Sequence, residues 1–229
     1  MRSLHSCKTL GGIGASLLAS STLIPIPLGA IALIPPLITT AIPIIGGETQ
    51  EFILIFLGLI SILAALVGGT LFLLAFKGLA QLYAEEGIFR NARYGFISSI
   101  ASITNIAVIM VALEGVYRST PPYDIYIGQM FKLMVAVASI SFLLASMFYK
   151  RALALTSLES GEGRFKVSGA LLPVSALLFS VSTLYLIVPT TSSTWFLVYS
   201  LFLATALVAE GILLSAWIWV AKAFISVKG

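Results

Sequence analysis

The stretch FILIFLGLISILAALVGGTLFLLAFK, residues 52–77, decides the fold. No charge interrupts it before Lys77. A hydrocarbon core of about 30 Å is crossed by about 20 apolar residues of helix, so this run is long enough to span. It is continuously apolar rather than alternating, which selects a helix over a barrel strand. Five further stretches qualify, at about 10–27, 94–113, 128–149, 167–188 and 195–221. Composition agrees, with 59% hydrophobic and 10% charged residues, against about 45–50% and about 25% in soluble domains. Little of the 229-residue chain is left for a soluble domain. The expected fold is all-α, a polytopic transmembrane bundle of six helices.

The placement of charge orients those helices. With the N-terminus inside and six alternating crossings, the inner side holds Arg2, Lys8, Lys77, Arg90, Arg93, Lys150, Arg151, Arg164, Lys166, Lys222 and Lys228. Only Arg118 and Lys132 of the 13 basic residues fall outside. Basic residues near span ends mark the cytoplasmic side. The sequence therefore predicts a cell-membrane protein with both termini cytoplasmic. The net charge of +4 is no nucleic-acid signal, because its cations line one membrane face, where anionic headgroups suit them. Lys77, Arg90, Arg93, Lys150, Arg151 and Lys166 are the candidate headgroup contacts. One cysteine, Cys7, and one histidine, His5, exclude a disulfide framework and a Cys/His metal site. No cofactor is expected. The basic, then apolar, then small-residue start also suits a signal peptide; the expectation is that it is retained as the first span.

After Thr22 the chain changes character. Pro25, Pro27, Pro35, Pro36 and Pro43 punctuate an apolar segment that reaches Gly46-Gly47. A crossing by residues 28–45 would invert every later loop and break the charge rule. Proline also interrupts helical hydrogen bonding. The segment, roughly 25–50, is expected as an outer loop, partly embedded or re-entrant, and residues 25–47 as a contact surface for another chain or a second copy. Pro173 is expected near the start of the fifth span, where proline is tolerated best.

Glu86-Gly87-Ile88-Phe89-Arg90 recurs as Glu162-Gly163-Arg164-Phe165-Lys166, displaced by 76 residues. Each copy opens a span, and Lys8 precedes the first. The partner spans end at Phe76-Lys77, Tyr149-Lys150 and Ala221-Lys222. Together they predict three tandem αα-hairpins, approximately 8–77, 90–151 and 166–222, in a single transmembrane domain. Lys8-Thr9-Leu10-Gly11-Gly12-Ile13-Gly14, Lys77-Gly78-Leu79-Ala80 and Gly87-Ile88-Phe89-Arg90-Asn91-Ala92 resemble a family of archaeal and bacterial membrane proteins catalogued as a domain of unknown function. The resemblance covers most of the chain and rests on packing and loop motifs. It implies no catalytic or ligand residues, and the family's first connection is shorter than the proline-rich segment here.

Glu210 is the costly residue. Twelve residues before Lys222, it lies about 18 Å into the membrane at 1.5 Å per residue. An acid there costs roughly 2.5–3.5 kcal/mol, so it has a partner or a task. Tyr199 and Trp217 share its helical face, and Asn105 and Ser20 lie at matching depth. Two readings stand. Glu210 either holds a cation, proton or cationic solute with Asn105, Tyr199 and Ser20, or it stays protonated and hydrogen-bonds a neighbouring helix. No second intramembrane acid is present to form a proton relay.

No H-E-x-x-H motif, intramembrane aspartate pair or phosphate loop occurs, so no enzyme is expected. The leading expectation is a non-catalytic component or partner subunit of a membrane assembly. The alternative is a small transporter or channel using Glu210. Single cysteines placed in segments 77–93 and 150–166 of a Cys7→Ser chain should both be labelled from the cytoplasmic side. Labelling from opposite sides would remove the six-pass thread.

Overall fold

The computed structural model describes residues 3–23, 47–118, 124–185 and 195–227. They form six helices and no strand: α1 (Leu4–Leu23), α2 (Gly47–Tyr83), α3 (Glu86–Arg118), α4 (Asp124–Ser160), α5 (Gly163–Tyr185) and α6 (Trp195–Ser226). The proline-rich segment assigned to partner contact lies outside the described residues. So do the prolines after Arg118 and the turn at 189–194.

Three helices outrun their apolar cores. At 1.5 Å per residue, the 37 residues of α2 and of α4 each make a rod of about 55 Å. Both continue past their terminal lysines, to Tyr83 and Ser160, and α6 passes Lys222 to reach Ser226. Segments Phe56–Tyr83, Lys132–Ser160, Gly163–Leu184 and Ser200–Ser226 are long and apolar enough to cross a bilayer. The described parts of α1 and α3, which carry more glycine, serine and charge, fall short of that.

The α2–α3 and α4–α5 turns, expected on the inner side, are each two residues long and built alike. Ala84 and Gly161 adopt left-handed backbone, with φ of 53° and 69°. Each is followed by a glutamate that caps the next helix. Glu85 accepts the Gly87 N–H on Oε1 at 2.9 Å and the Ile88 N–H on its carbonyl at 3.2 Å. Glu162 accepts the Arg164 N–H on Oε1 at 3.2 Å and the Phe165 N–H on its carbonyl at 3.3 Å. A carboxylate there satisfies otherwise orphaned donors and suits the positive helix end. Equivalent atoms are thus 77 residues apart, one more than the 76 of the sequence match. Glu85, not Glu86, occupies the capping position.

Packing follows a closed circuit. Each helix packs on its chain neighbours, and α1 packs on α6 to complete the ring. Every odd helix therefore sits between two even ones. The core lies toward the inner end and draws on all six helices, from Cys7 and Ala15 through Phe72, Ile88, Leu153 and Phe165 to Phe224 and Val227. At its centre three rings from α2, α4 and α6 meet edge-on. Phe72 is 5.8 Å from Tyr149 and 5.3 Å from Trp217, and those two are 5.9 Å apart. Phe72 and Tyr149 are 77 residues apart, the spacing of the turns. Phe76, Phe224 and Phe165 continue the stack, with centroid separations between 4.6 and 5.9 Å.

Close approach of α1 to α2 needs glycine. A Cβ on Gly14 would lie 2.7 Å from the Phe72 nitrogen and 2.8 Å from the Gly68 oxygen, against backbone that cannot yield. In lipid, such contact is a principal source of helix association. The outer surface is apolar instead: Phe56, Leu59, Leu63 and Val67 form an exposed stripe on α2, and Leu133, Val137, Ile140, Leu144 and Met147 one on α4. That arrangement suits hydrocarbon rather than water.

Pro173 departs from expectation. α5 begins at Gly163, so the proline is interior to the helix rather than near its start. Its missing N–H leaves the Gly169 carbonyl without its usual partner, which a membrane helix tolerates when neighbours cover it. Gly169 is buried against Leu153 and Lys150 of α4.

The paired turns give opposite expectations. Ala84→Gly should raise stability and Gly161→Ala lower it, each by about 1 kcal/mol, because only glycine adopts the left-handed conformation without penalty. A Cβ at position 161 meets nothing within 4 Å, so the effect is one of backbone alone. Thermal unfolding midpoints in detergent should shift in those opposite directions.

Candidate functional site

The intramembrane polar residues are not gathered into one cluster. Asn105 on α3 donates its Nδ2 to the Ala101 carbonyl of its own helix at 2.8 Å. Ser20 on α1 donates to the Ser16 carbonyl at 3.0 Å and is exposed. The side chain of Tyr199 lies outside the described residues. Glu210 is half-buried on α6, two turns above Trp217 on the face that carries Trp217 and Phe224. α3 and α6 are not neighbours in the ring, which keeps Asn105 from Glu210 despite their common depth. Equal depth along two helices does not make them adjacent around the axis.

Serine hydroxyls do something else. In the first hairpin Ser61 donates to the Ser21 carbonyl at 2.7 Å. In the second, Ser102 donates to the Ala138 carbonyl at 3.1 Å, and in the third Ser175 donates to the Ala209 carbonyl at 2.7 Å. Each hairpin thus has one buried rung between its two helices. The first two rungs use positions of α2 and α4 that are 77 apart, with donor and acceptor exchanged. Ser139 and Thr183, 3.0 Å apart, join α4 to α5 between hairpins. Sequence reading assigned small polar residues to packing without finding these pairs.

The inner-face cations separate into two groups. Lys77, Arg90 and Arg93 share one cavity of about 630 Å³, together with Ala80, Gln81, Ala84, Glu86, Phe89 and Tyr94. Lys150 and Arg151 are exposed on α4, and Lys166 on α5, outside it. The cavity is open to one side and lies where α2 meets α3, the least extensive of the six neighbour contacts among the described residues. Its walls are helical stripes, Lys77, Ala80 and Gln81 at one-turn spacing on α2 and Glu86, Phe89, Arg90 and Arg93 on α3, with Ala84 in the turn between them. Sequence reading had the cations but missed Gln81, Phe89 and Tyr94, whose signal was that same i, i+3, i+4 spacing across the turn. Among the described residues no three His, Cys, Asp or Glu side chains come together to hold a metal ion.

Long apolar helices, an apolar exterior and small polar residues bonded inside define a multi-pass helical membrane protein. The model of one family, described as a protein of unknown function (DUF996), matches residues 64–189, more than half of the chain. The chain belongs to that family. The match runs from the middle of α2 through α5, so it includes the cavity, Phe72 and Tyr149 but neither Trp217 nor Glu210. No curated protein and no solved structure matches the chain.

Rungs and lone bonds should differ in mutational effect. Ser175→Ala removes a bond between helices and should lower stability by about 0.6 to 1.7 kcal/mol. Asn105→Ala removes only a bond within α3 and should stay within about 0.5 kcal/mol. Unfolding in detergent titrations distinguishes the two.

Proposed function

We propose that this chain is a non-catalytic component of a membrane assembly, placed in the cell membrane with both termini in the cytoplasm. The observation that carries this reading is the filled axis. The Phe72–Tyr149–Trp217 triangle and the rings around it occupy the inner half of the bundle interior. Buried hydroxyls are committed to carbonyls, and every buried side-chain polar atom among the described residues has a partner. Such an interior serves packing better than passage or chemistry. Partner contact is assigned to residues 25–47 on their composition, either to other subunits or to a second copy.

One observation favours a second reading, a small cation, proton or solute transporter. Glu210 shares the face of Trp217 and Phe224, so its carboxyl sits above the ring triangle on the side toward the axis. On this reading the rings are a closed gate beneath an acidic binding position.

The two readings predict different results. As a subunit, the chain copurifies in fixed proportion with another membrane chain or with itself, and replacing residues 28–45 abolishes the association. A monodisperse monomer in both gentle detergent and lipid nanodiscs contradicts it. As a transporter, reconstituted protein moves a cation or proton across liposomes, and Glu210→Gln abolishes that flux while leaving the fold intact.

A further inference from the structure

We infer that the α2–α3 corner is a binding site for an anionic phospholipid, its phosphate held by Lys77, Arg90 and Arg93.

Charge comes first. Three cations line one cavity with a single free carboxyl group, that of Glu86, among its lining residues. The neighbouring Glu85 is already engaged in capping α3 through the Gly87 N–H. None of the three cations forms an ion pair with a described residue. Arg90 and Arg93 lie one turn apart on α3, and Lys77 opposes them from α2. Two guanidinium forks and an ammonium converging on one cavity match the several oxygens of a phosphate group.

Shape and position select a lipid. Buried Ala80 and exposed Ala84 line it with short side chains, so volume remains where larger side chains would close it. The cavity lies at the basic end of α2, whose Phe56–Tyr83 segment is long and apolar enough to cross a bilayer, and basic residues at such an end suit anionic headgroups. On α3 its rim passes from Arg93 to Tyr94, which is 44% exposed, and then to exposed Ile97 and Ile100. An acyl chain laid along Tyr94, Ile97 and Ile100 therefore continues directly from a phosphate seated between the arginines. A soluble phosphate would make no use of that apolar track.

The molecule supplies its own comparison. The second inner turn repeats the first at 77 residues, so the positions of Lys77, Arg90 and Arg93 correspond there to Ala154, Val167 and Ala170. Phe89 corresponds to Lys166, and the nearby Arg164 is held by Glu162, with Nε 3.7 Å from Oε1. The same backbone turn at α4–α5 thus lacks the three-cation arrangement. The α4–α5 turn has basic residues of its own, Lys150, Arg151, Arg164 and Lys166, but they do not occupy the positions that line the cavity at α2–α3.

The test uses the full-length chain in detergent micelles and reads lipid binding by native mass spectrometry. Phosphatidylglycerol is titrated against a phosphatidylcholine background. The wild type is compared with Arg90→Gln/Arg93→Gln and with Lys150→Gln/Arg151→Gln, which removes the same two charges from another part of the inner face. Binding should weaken about thirtyfold in the first variant and less than about threefold in the second, from the known attraction of each cation for anionic lipid. Lys77→Gln, an exposed and structurally mild change, should weaken it about fivefold and serves if the double variant fails to fold. Equal weakening by the two double variants, or no preference for phosphatidylglycerol over phosphatidylcholine, would overturn the site. Displacement of the lipid by inorganic phosphate at comparable concentration would overturn the lipid assignment and leave a soluble phosphate ligand in its place.

Discussion

Three aromatic rings meeting on the bundle axis hold this structure together. Phe72, Tyr149 and Trp217 come one from each hairpin, so their mutual contact is the point at which three separate helix pairs become one body. Edge-on pairs of this kind contribute about 0.5–1.5 kcal/mol each beyond the area they bury. The even helices are not ring neighbours, and the large side chains reach across the gap that their backbones leave. The odd helices then fill the spaces between them. Small residues are needed there, as where Gly14 meets the backbone of Phe72 and Gly68.

Within each hairpin a buried polar rung adds to the packing. Hydrocarbon gives apolar side chains no reason to prefer each other over lipid, so packing and hydrogen bonds carry helix association. A serine hydroxyl aimed at the carbonyl of the partner helix meets that need with little volume. It also explains why these helices show buried Ser61, Ser102 and Ser175 beneath exposed leucine and isoleucine. The exterior is apolar as well as the core, and Glu210 apart, the charged groups lie toward the helix ends.

Much of this was legible in the residues, and what was not has physical causes. Apolar run length and the distribution of lysine and arginine predicted six helices, and the described residues form six. Those signals are one-dimensional, set by bilayer thickness and by which side a charge lies on. Position around the axis is a different matter. Glu210 and Asn105 share a depth, yet their helices are not adjacent, and run length carries no information about adjacency. The turn register slipped by one because the motif aligns Glu86 with Glu162, whereas the bond from the Gly87 N–H makes Glu85 the equivalent cap. Pro173 seemed to lie near a helix start because apolar content marks the membrane boundary, whereas α5 starts earlier, at its polar cap. The α2–α3 cavity was half visible: its cations stood out, but the space beside Ala80 and Ala84 is defined by side chains that are missing.

The most direct measurement is quenching of Trp217 fluorescence in a chain whose other two tryptophans are phenylalanine, Trp195→Phe/Trp219→Phe, reconstituted in bilayers of brominated phospholipid. Trp217 on the axis, 6% exposed, should resist both the brominated chains and aqueous acrylamide. The companion chain that keeps only Trp219, 43% exposed, should be quenched strongly by the lipid. Equal lipid quenching of the two would place Trp217 on the outside of the bundle and contradict the account of three hairpins closed around a ring triangle.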